Sequence, residues 1–257
     1  MKQKSLSKSE IIWRKGKSEK RSNEYQEKEQ KKGVDAVGYV WSWQVIVQSF
    51  PMLLAGAGLT IRLTCIAVSM GILIGTFFGI GRVAKNALIF SLSSIYVNFI
   101  RGTPLLVQLY LVYFGIPALI GIPIPPLLAA YITMSVNSGA YVAEIVRAGI
   151  QSISRGQMEA ARSLGMTYGQ AMLHVILPQT FKRIIPPLGN EFIALLKDSS
   201  IVSVIALEEL VRKGYLISGR TFRSFEIWTA VAFMFLFMTL PITQLVNYTE
   251  RKLKKGD

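Results

Sequence analysis

The sequence contains one cysteine, Cys65, and one histidine, His174. A single cysteine cannot form a disulfide framework or a thiolate metal site within one chain. A single histidine excludes the His-Glu-x-x-His motif of zinc proteases, and no other metal-ligand set is present. We therefore expect Cys65 to be a small buried residue, and His174 to have a packing or solvent-facing role.

Charged residues are also scarce. They make up 17% of the 257 residues, whereas a soluble domain usually carries about 25%. Hydrophobic residues make up 51%, and they come in long blocks rather than at alternating or helical spacing. Blocks of about 20 apolar residues can cross a bilayer as helices. The composition therefore predicts an all-α membrane protein with several transmembrane helices.

Acidic residues are outnumbered, since 15 Asp and Glu stand against 29 Lys and Arg and give a formal net charge of +14. A basic balance can indicate nucleic-acid binding. Here part of the excess lies in residues 1–40, a tail of low apolar content that we predict to be disordered. Much of the remainder flanks the apolar blocks, as in membrane proteins. The distribution predicts no nucleic-acid partner.

About five apolar segments are predicted to span the membrane, at residues 59–81, 88–114, 126–148, 184–206 and 226–247. The preceding segment, residues 41–58, contains two tryptophans and a proline. We expect it to lie along the membrane surface. Residues 41–253 would then form one transmembrane domain, followed by a short tail at 254–257.

Lysines and arginines in the loops predict the orientation, because cytoplasmic loops are enriched in them. The first loop holds Arg82 and Lys85, the third holds Arg155 and Arg162, the second has no charge, and the C-terminus reads ERKLKKGD. Loops one and three and the C-terminus are therefore expected in the cytoplasm, and five spans place the N-terminus outside. In the alternative, residues 36–57 form an extra span and the basic tail is cytoplasmic.

The third loop, about residues 150–178, carries helix-capping signals, and we call it the hook. Ser154 is followed three residues later by Gln157, and Thr167 three residues later by Gln170. Both pairs fit a capping box, in which two side chains satisfy free amides of the first helical turn. The hook is therefore predicted to contain two short helices.

The turn and the end of the hook are predicted in the same way. Gly165 suits the left-handed position that ends the first helix, and Pro178 is expected to end the second. Met158, Ala161 and Leu164 follow helical spacing and should form an apolar docking face. A DNA-reading helix-turn-helix has similar spacing, but it needs a third helix and a soluble core. A purely structural connector is the other alternative.

The stretches EAARSLG and VILPQ resemble the signature cytoplasmic loop of permease subunits of binding-protein-dependent ABC importers. That family's pattern is Glu-Ala-Ala, three residues, Gly, nine residues, Ile, one residue and Leu-Pro, and here Val175 replaces the isoleucine. FIRGTPLLVQLYLVYFG, SGAYVAEIVRAGIQSISRGQMEAA and GNEFIALLKDSSIVSVIALEEL are similar to the subfamily that imports polar amino acids. The resemblance covers about residues 43–253.

The resemblance implies a non-catalytic permease subunit of the cell membrane, driven by a separate ATPase that binds ATP and Mg. The implied partners are two ATPase subunits, a second permease copy, identical or similar, and an extracytoplasmic amino-acid-binding protein. The hook would supply the coupling helix, and its coupling residues are expected to be Gln157, Glu159, Ala160, Ala161, Leu164, Gly165 and Met166.

No cofactor site is predicted in this chain. The stretch KGKS at 15–18 lacks the glycine that a phosphate-binding loop needs five residues earlier, where Ile11 stands. No other Gly-Lys-Ser or Gly-Lys-Thr occurs in the sequence. The sequence therefore predicts that this chain does not bind ATP through such a loop, and that the ATPase is a separate partner.

Polar residues within the apolar segments predict a path for a polar substrate, because such residues are costly in a bilayer. Pro104 removes the hydrogen bond to the carbonyl of Ile100, so the second span should bend beside Arg101. Glu144 and Asp198 could hold the ammonium of an amino acid, and Arg101 its carboxylate. The predicted substrate path comprises Asn98, Arg101, Gln108, Asn137, Tyr141, Glu144, Lys197, Asp198 and Ser199.

Alternatives remain open for the charges and for the function. Glu144 could pair with Arg147, and Lys197 and Asp198 with neighbouring spans, and the path could lie within one subunit or between two. An ion-gradient-driven amino-acid carrier is the alternative function, although such carriers commonly have internal repeats and more spans. A membrane enzyme would need a nucleophile–base pair or metal ligands. The surplus carboxylates suggest a basic amino acid, beside glutamine, glutamate and cystine.

Overall fold

The computed structural model describes residues 39–254, and within that range it consists of helices and connecting segments without strands. The predicted all-α class is confirmed. The predicted tail at 1–40 lies outside the described residues except for its last two, and the tail at 254–257 lies outside them except for the backbone of Lys254. The helices are α1 (Trp43–Gly81), α2 (Ala87–Arg101), α3 (Leu105–Tyr110), α4 (Ile116–Ile120), α5 (Pro126–Gln151), α6 (Arg155–Ser163), α7 (Tyr168–Ala171), α8 (Leu177–Asp198), α9 (Leu210–Thr221) and α10 (Ser224–Lys254).

Three shorter helical segments connect some of these helices. A π-helical turn, Leu111–Gly115, joins α3 to α4, and another, Met172–Ile176, joins α7 to α8. A 3-10 helix, Ser199–Ile205, follows α8. The fourth predicted span, 184–206, therefore does not remain α-helical to its end.

The first helix is longer than predicted. α1 has 39 residues and passes without a break through the segment 41–58, so the expected division between a surface segment and a span at residue 59 is wrong. Leu53 and Ala57 are buried against α9 and α10, next to Leu210 and Ile227. This packing keeps the glycine- and proline-containing half of α1 helical, although intrinsic propensity favours a break there.

The second predicted span is broken. α2 ends at Arg101, and the segment Leu105–Ile120 leaves at an angle of 101°. The bend predicted beside Arg101 is present, but the continuous helix expected over 88–114 is wrong. Pro104 has no amide to donate and stands at the break with φ of −64°.

Within the described residues, two helices, α1 and α10, are long and apolar enough to cross a membrane, and α2 with the segment Leu105–Ile120 makes a third if the bent pair is one span. α5 and α8 occupy the predicted third and fourth spans and carry several polar residues. The number of five spans stays a prediction.

The core of the helical domain is the close packing of α1 on α5. Gly71, Gly75 and Gly79 recur at every fourth position of α1, and a Cβ at Gly75 would lie 2.5 Å from the Cβ of Val142. Small residues at this spacing let two helices approach closely. Gly79 lies against Val146, so the end of α1 is fixed beside the C-terminal half of α5. This packing brings distant charged residues together.

Candidate functional site

The hook contains the two short helices predicted for it, α6 and α7, joined by a tight turn. Gly165 has φ of +86°, as predicted for the residue that ends the first helix. The amide of Gly165 donates to the carbonyl of Arg162 at 3.1 Å, and the amide of Met166 donates to that of Ala161 at 3.2 Å. These two bonds form a Schellman motif, which satisfies the free carbonyls at the end of α6.

One of the two predicted capping boxes is present. The amide of Thr167 donates to Oε1 of Gln170 at 2.8 Å, and the amide of Gln170 donates to Oγ1 of Thr167 at 3.3 Å. The other box is wrong, although Ser154 does cap α6. Oε1 of Gln157 instead accepts from Nε2 of Gln179 at 3.3 Å, and this bond ties α6 to the first turn of α8.

The second hook helix does not end at Pro178, so that prediction is wrong. α7 continues through the π-helical turn Met172–Ile176 directly into α8, and Pro178 occupies the second position of α8. In the π-helical turn the amide of Leu177 donates to the carbonyl of Met172, five residues earlier. This shift of hydrogen-bond register lets the chain accept a proline, which has no amide, without leaving the helix.

The predicted coupling residues divide between the interior and the surface of the hook. Ala161 is 4% exposed and packs inward with the half-buried Met158, whereas Leu164 is 83% exposed. The single apolar face expected for these three residues is therefore wrong, because Leu164 points away from the other two. The coupling residues that are exposed are Gln157, Glu159, Ala160, Leu164 and Gly165, and Met166 is half-buried.

A cluster of arginines surrounds Glu144 on α5. Arg82, at the end of α1, donates to Oε2 of Glu144 at 2.5 Å. Arg147 donates to both carboxylate oxygens, and Nη1 of Arg101 lies 3.8 Å from Oε2. The pairing of Glu144 with Arg147, which the sequence left as an alternative, is present. The sequence offered no signal for Arg82, which it placed only as a loop charge.

Arg101 also contacts Tyr141. Its guanidinium carbon lies 5.3 Å from the centroid of the Tyr141 ring, a cation–π distance. The structure therefore brings Arg101, Tyr141 and Glu144 together, three of the residues predicted for the substrate path. With Arg82 and Arg147 they form what we call the arginine cluster.

Gln108 and Asn137 form a second group, and both are buried. Nδ2 of Asn137 donates to Oε1 of Gln108 at 3.1 Å. Nε2 of Gln108 lies 2.8 Å from the carbonyl oxygen of Ile100 and 3.0 Å from that of Thr103, at the break between α2 and α3. The hydrogen-bonding groups of Gln108 are thus engaged within the protein, which gives this residue a structural role.

The other predicted path residues lie apart from these two groups. Asn98 is exposed on α2, Lys197 and Asp198 are exposed at the end of α8, and the buried Ser199 donates its hydroxyl to the carbonyl of Leu196. Among the hydrogen bonds and ion pairs found for residues 39–254, none joins these four side chains to the arginine cluster. The nine residues do not form one site.

A cavity of about 470 Å³ opens beside the arginine cluster, between α5 and α8. Its lining includes Glu144, Ser152 and Arg183. Nη1 of Arg183 donates to the carbonyl of Ser152 at 2.6 Å and so bridges the two helices. The rest of the lining is apolar, and Glu144 and Arg183 bring charge to the wall beside the arginine cluster. A mostly apolar lining with a few polar groups is typical of a site for a small molecule.

The comparisons with known proteins agree with this architecture. Residues 71–255 match the family described as binding-protein-dependent transport system inner membrane components, and the chain belongs to that family. It is 40% identical over 212 residues to the "Probable glutamine ABC transporter permease protein GlnM" of Bacillus subtilis (strain 168), which covers 82% of this chain and 98% of that protein.

Two further similarities extend the comparison. The arginine transport system permease protein ArtQ of Bacillus subtilis (strain 168) is 36% identical over 211 residues, covering 82% of this chain and 96% of its own. A crystal structure of an amino acid ABC transporter with histidines is similar with a TM-score of 0.79 and 44% identity, covering 83% of this chain and 99% of that one. Both similarities extend over nearly the whole length of the related chains.

Proposed function

We propose that this chain is the permease subunit of an ABC importer for a polar amino acid, and that a separate ATPase docked on the hook drives it. The observation that carries the proposal is the hook itself. Its turn is fixed by a Schellman motif and a capping box, while Glu159 and Leu164 are exposed on the side away from the core. A rigid helix with an exposed acidic and apolar surface is suited to dock in the groove of a partner.

The partners follow from the family and from the names of the relatives. The assembly would contain two ATPase subunits, which bind ATP and Mg, a second permease copy and an extracytoplasmic amino-acid-binding protein. This chain would be non-catalytic and would bind no cofactor. The relatives are named for glutamine and arginine transport, which supports a polar amino acid as substrate.

The proposed orientation places the hook and the C-terminus in the cytoplasm and the N-terminus outside. Lys85 of the first loop and Arg155 of the hook line the same cavity, so the two basic loops lie at one end of the molecule. This agrees with the enrichment of Lys and Arg in cytoplasmic loops. The number of five spans is part of the same proposal.

The substrate path is proposed to pass the cavity between α5 and α8. The three arginines beside Glu144 exceed its single negative charge. The cluster therefore suits the α-carboxylate that all amino acids share better than a basic side chain. In this view Glu144 orients Arg101 and does not hold the ammonium. Asn137 would have a supporting role, because it holds Gln108 in place. The remaining predicted residues would line a second stretch of the path: Asn98, Lys197, Asp198 and Ser199.

The coupling proposal is tested by charge reversal on the hook. The complex with its ATPase is reconstituted in proteoliposomes, and ATP hydrolysis stimulated by the loaded binding protein is measured. Glu159→Arg should reduce this stimulation to the basal level, while Lys252→Glu, a charge reversal at an exposed site near the C-terminus, should not. Full stimulation in Glu159→Arg would contradict the role of the hook.

The orientation and the energy source have their own tests. Cys65 is exposed, so the burial expected from the sequence is wrong, and Cys65 is replaced in this test. In a Cys65→Ser background, Leu164→Cys should react with a membrane-impermeant thiol reagent only in inside-out vesicles. Labelling in right-side-out vesicles would place the hook outside and overturn the topology. Uptake that follows an ion gradient and continues without ATP would instead favour the secondary-carrier alternative.

The substrate path is tested by uptake of radiolabelled amino acid. Arg101→Gln should raise the apparent KM, because the substrate carboxylate loses a partner. Glu144→Gln should raise it as well, because Arg101 loses its anchor. Unchanged apparent affinity in both variants would remove the arginine cluster from the path.

A further inference from the structure

A second cavity, of about 820 Å³, lies between the turn that joins α1 to α2, the end of α5 and the hook. It shares no lining residue with the cavity beside Glu144. Its floor is apolar, because Ile150, Ile153 and Ile176 belong to a buried cluster between α5 and the hook. Such a floor suits hydrocarbon better than a fully hydrated ligand.

The rim of this cavity offers hydrogen-bond donors. Nζ of Lys85 lies 4.8 Å from the centroid of the Tyr168 ring, and this cation–π contact holds the ammonium at the rim. Arg155, the first residue of α6, has no carboxylate within 4.0 Å among the residues that the structure describes. Two cations therefore stand at the rim without a counter-charge from the described part of the chain.

Gln151 adds a third donor and links the cavity to the arginine cluster. Its Oε1 accepts from Nη1 of Arg147, so the amide group of Gln151 is left to donate elsewhere. None of the described residues that line the cavity is acidic. A rim of two cations and an amide, with no carboxylate, matches the oxygens of a phosphate.

We propose that this cavity binds the headgroup of an acidic phospholipid from the cytoplasmic leaflet. The phosphate lies between Lys85, Gln151 and Arg155, and the start of an acyl chain covers the isoleucine floor. The cavity lies at the level where α1 and α5 end, and the exposed Leu88 and Ile89 follow Lys85 on α2. The proposal rests on the cytoplasmic orientation proposed above for the hook.

The apolar floor distinguishes a lipid from a free anion. Inorganic phosphate would use the rim only and leave the floor open, whereas a lipid uses both. A bound headgroup would also fix the side chain of Gln151, which contacts Arg147 and through it Glu144. A bound headgroup therefore stabilises the attachment of the hook to the first loop and to α5.

The test measures lipid retained by the complete complex, by native mass spectrometry after purification in mild detergent. Lys85→Ala/Arg155→Ala should lose bound phosphatidylglycerol by about tenfold or more, because each surface cation contributes substantially to binding of an anionic headgroup. The matched control Lys182→Ala/Lys252→Ala removes the same charge at exposed sites outside the cavity and should retain the lipid. The conservative pair Lys85→Arg/Arg155→Lys should also retain it. Equal retention in the alanine double variant and its control would overturn the proposal.

Short-chain probes separate the sources of the phosphate. Dioctanoyl-phosphatidylglycerol should raise the melting temperature of the delipidated wild-type complex and not that of the alanine double variant. Dioctanoyl-phosphatidylcholine and inorganic phosphate should have no such effect. An equal shift with inorganic phosphate would make this a free-anion site, and an equal shift with phosphatidylcholine an apolar groove, and either result would reject the acidic lipid. These readouts need no ATP hydrolysis, so they do not depend on the coupling test, and the Leu164→Cys labelling reports separately on orientation.

Discussion

Gln108 donates its side-chain amide to the backbone carbonyl of Ile100 at 2.8 Å, across the break between α2 and α3. This carbonyl would have accepted from residue 104 in a continuous helix, but Pro104 has no amide. Gln108 thus replaces the hydrogen bond that the proline removes. Asn137 on α5 holds the other end of the same side chain, so the break is fixed to the core.

Replacing Gln108 by leucine should destabilise the break. The buried carbonyl of Ile100 would lose its best-placed partner and Asn137 its acceptor, at a cost of about 1–3 kcal/mol. We expect a lower melting temperature of the detergent-solubilised complex. Asn98→Leu is the matched control, because Asn98 is exposed on α2. Equal melting temperatures of the two variants would show that Gln108 does not support the break.

The effect of a Gly→Ala substitution in α1 on the stability of the domain should depend on the position of the glycine. Gly75→Ala places a Cβ 2.5 Å from that of Val142 and 2.7 Å from the carbonyl oxygen of Gly139, and we expect it to destabilise the domain by about 1–3 kcal/mol. Gly58→Ala on the same helix meets no atom within 4 Å and should be neutral or stabilising, because alanine favours helix. Thermal unfolding of both variants shows whether each substitution raises or lowers the stability of the domain. A Gly75→Ala variant as stable as the wild type would refute close packing of α1 on α5.

The stability of the turn in the hook should depend on the left-handed backbone conformation of Gly165 and not on space for a side chain. Gly165 has φ of +86°, and a Cβ added to it would meet no atom within 4 Å, so Gly165→Ala costs only the left-handed strain, about 1–2 kcal/mol. Gly165→Asn should cost less. Protease resistance of the hook and ATPase retention on purification measure the effect. Gly169→Ala, also in open space but with ordinary φ, is the control, and a loss equal to that of Gly165→Ala would exclude strain as the cause.

The buried Glu209 predicts a pH dependence of stability. It lies in the loop before α9, and its carboxylate accepts from the amides of Val211 and Arg212 at 2.9 and 2.8 Å. Burial nevertheless raises its pKa from 4.5 to about 7. The folded state therefore favours the protonated form, so the stabilisation is fully present below the unfolded pKa and is lost as the pH rises through the folded pKa.

The melting temperature should accordingly fall as the pH rises from about 5 to about 8, and Glu209→Gln should reduce that slope. The charged groups nearby in the loop and on α9 are Glu208 and Lys213, which pair with each other, and Arg212, whose amide donates to Glu209. On α1 the neutral Thr60 faces the carboxyl group. Glu208→Gln is the control, since Glu208 is exposed. An unchanged slope in Glu209→Gln would show that this residue does not cause the dependence.

Local chemistry was the part that could be predicted from the sequence. The left-handed Gly165, the Thr167–Gln170 capping box and the bend at Pro104 each depend on a few neighbouring residues, and each is present. The effect of Pro178 could not be predicted, because it depends on hydrogen-bond register. The π-helical turn before it changes that register, and no short pattern in the sequence indicated the turn.

Partners that are distant along the chain could not be predicted. The sequence showed that Glu144 could pair with Arg147, one turn away, but not with Arg82 or Arg101. The Arg82 contact arises because the glycines of α1 fix its end against α5. The Arg101 contact arises because α2 also packs on α5, where the Tyr96 hydroxyl donates to the carbonyl of Val136. Likewise Gln108 was assigned to the substrate path from its polarity, whereas its partners at Ile100 and Asn137 became evident only from the packing.

The chain runs from α7 through the π-helical turn into α8 without a gap, so the hook and the end of α8 belong to one continuous helical segment. From Tyr168 to Asp198 every residue is helical, over about 46 Å at 1.5 Å per residue. Pro186 and Pro187 lie inside α8, and each leaves the carbonyl four residues earlier without its helical amide partner, so the run bends most easily there. A displacement of the hook is therefore expected to reach Lys197 and Asp198 partly as bending at these two prolines, and not only as rotation of a rigid helix.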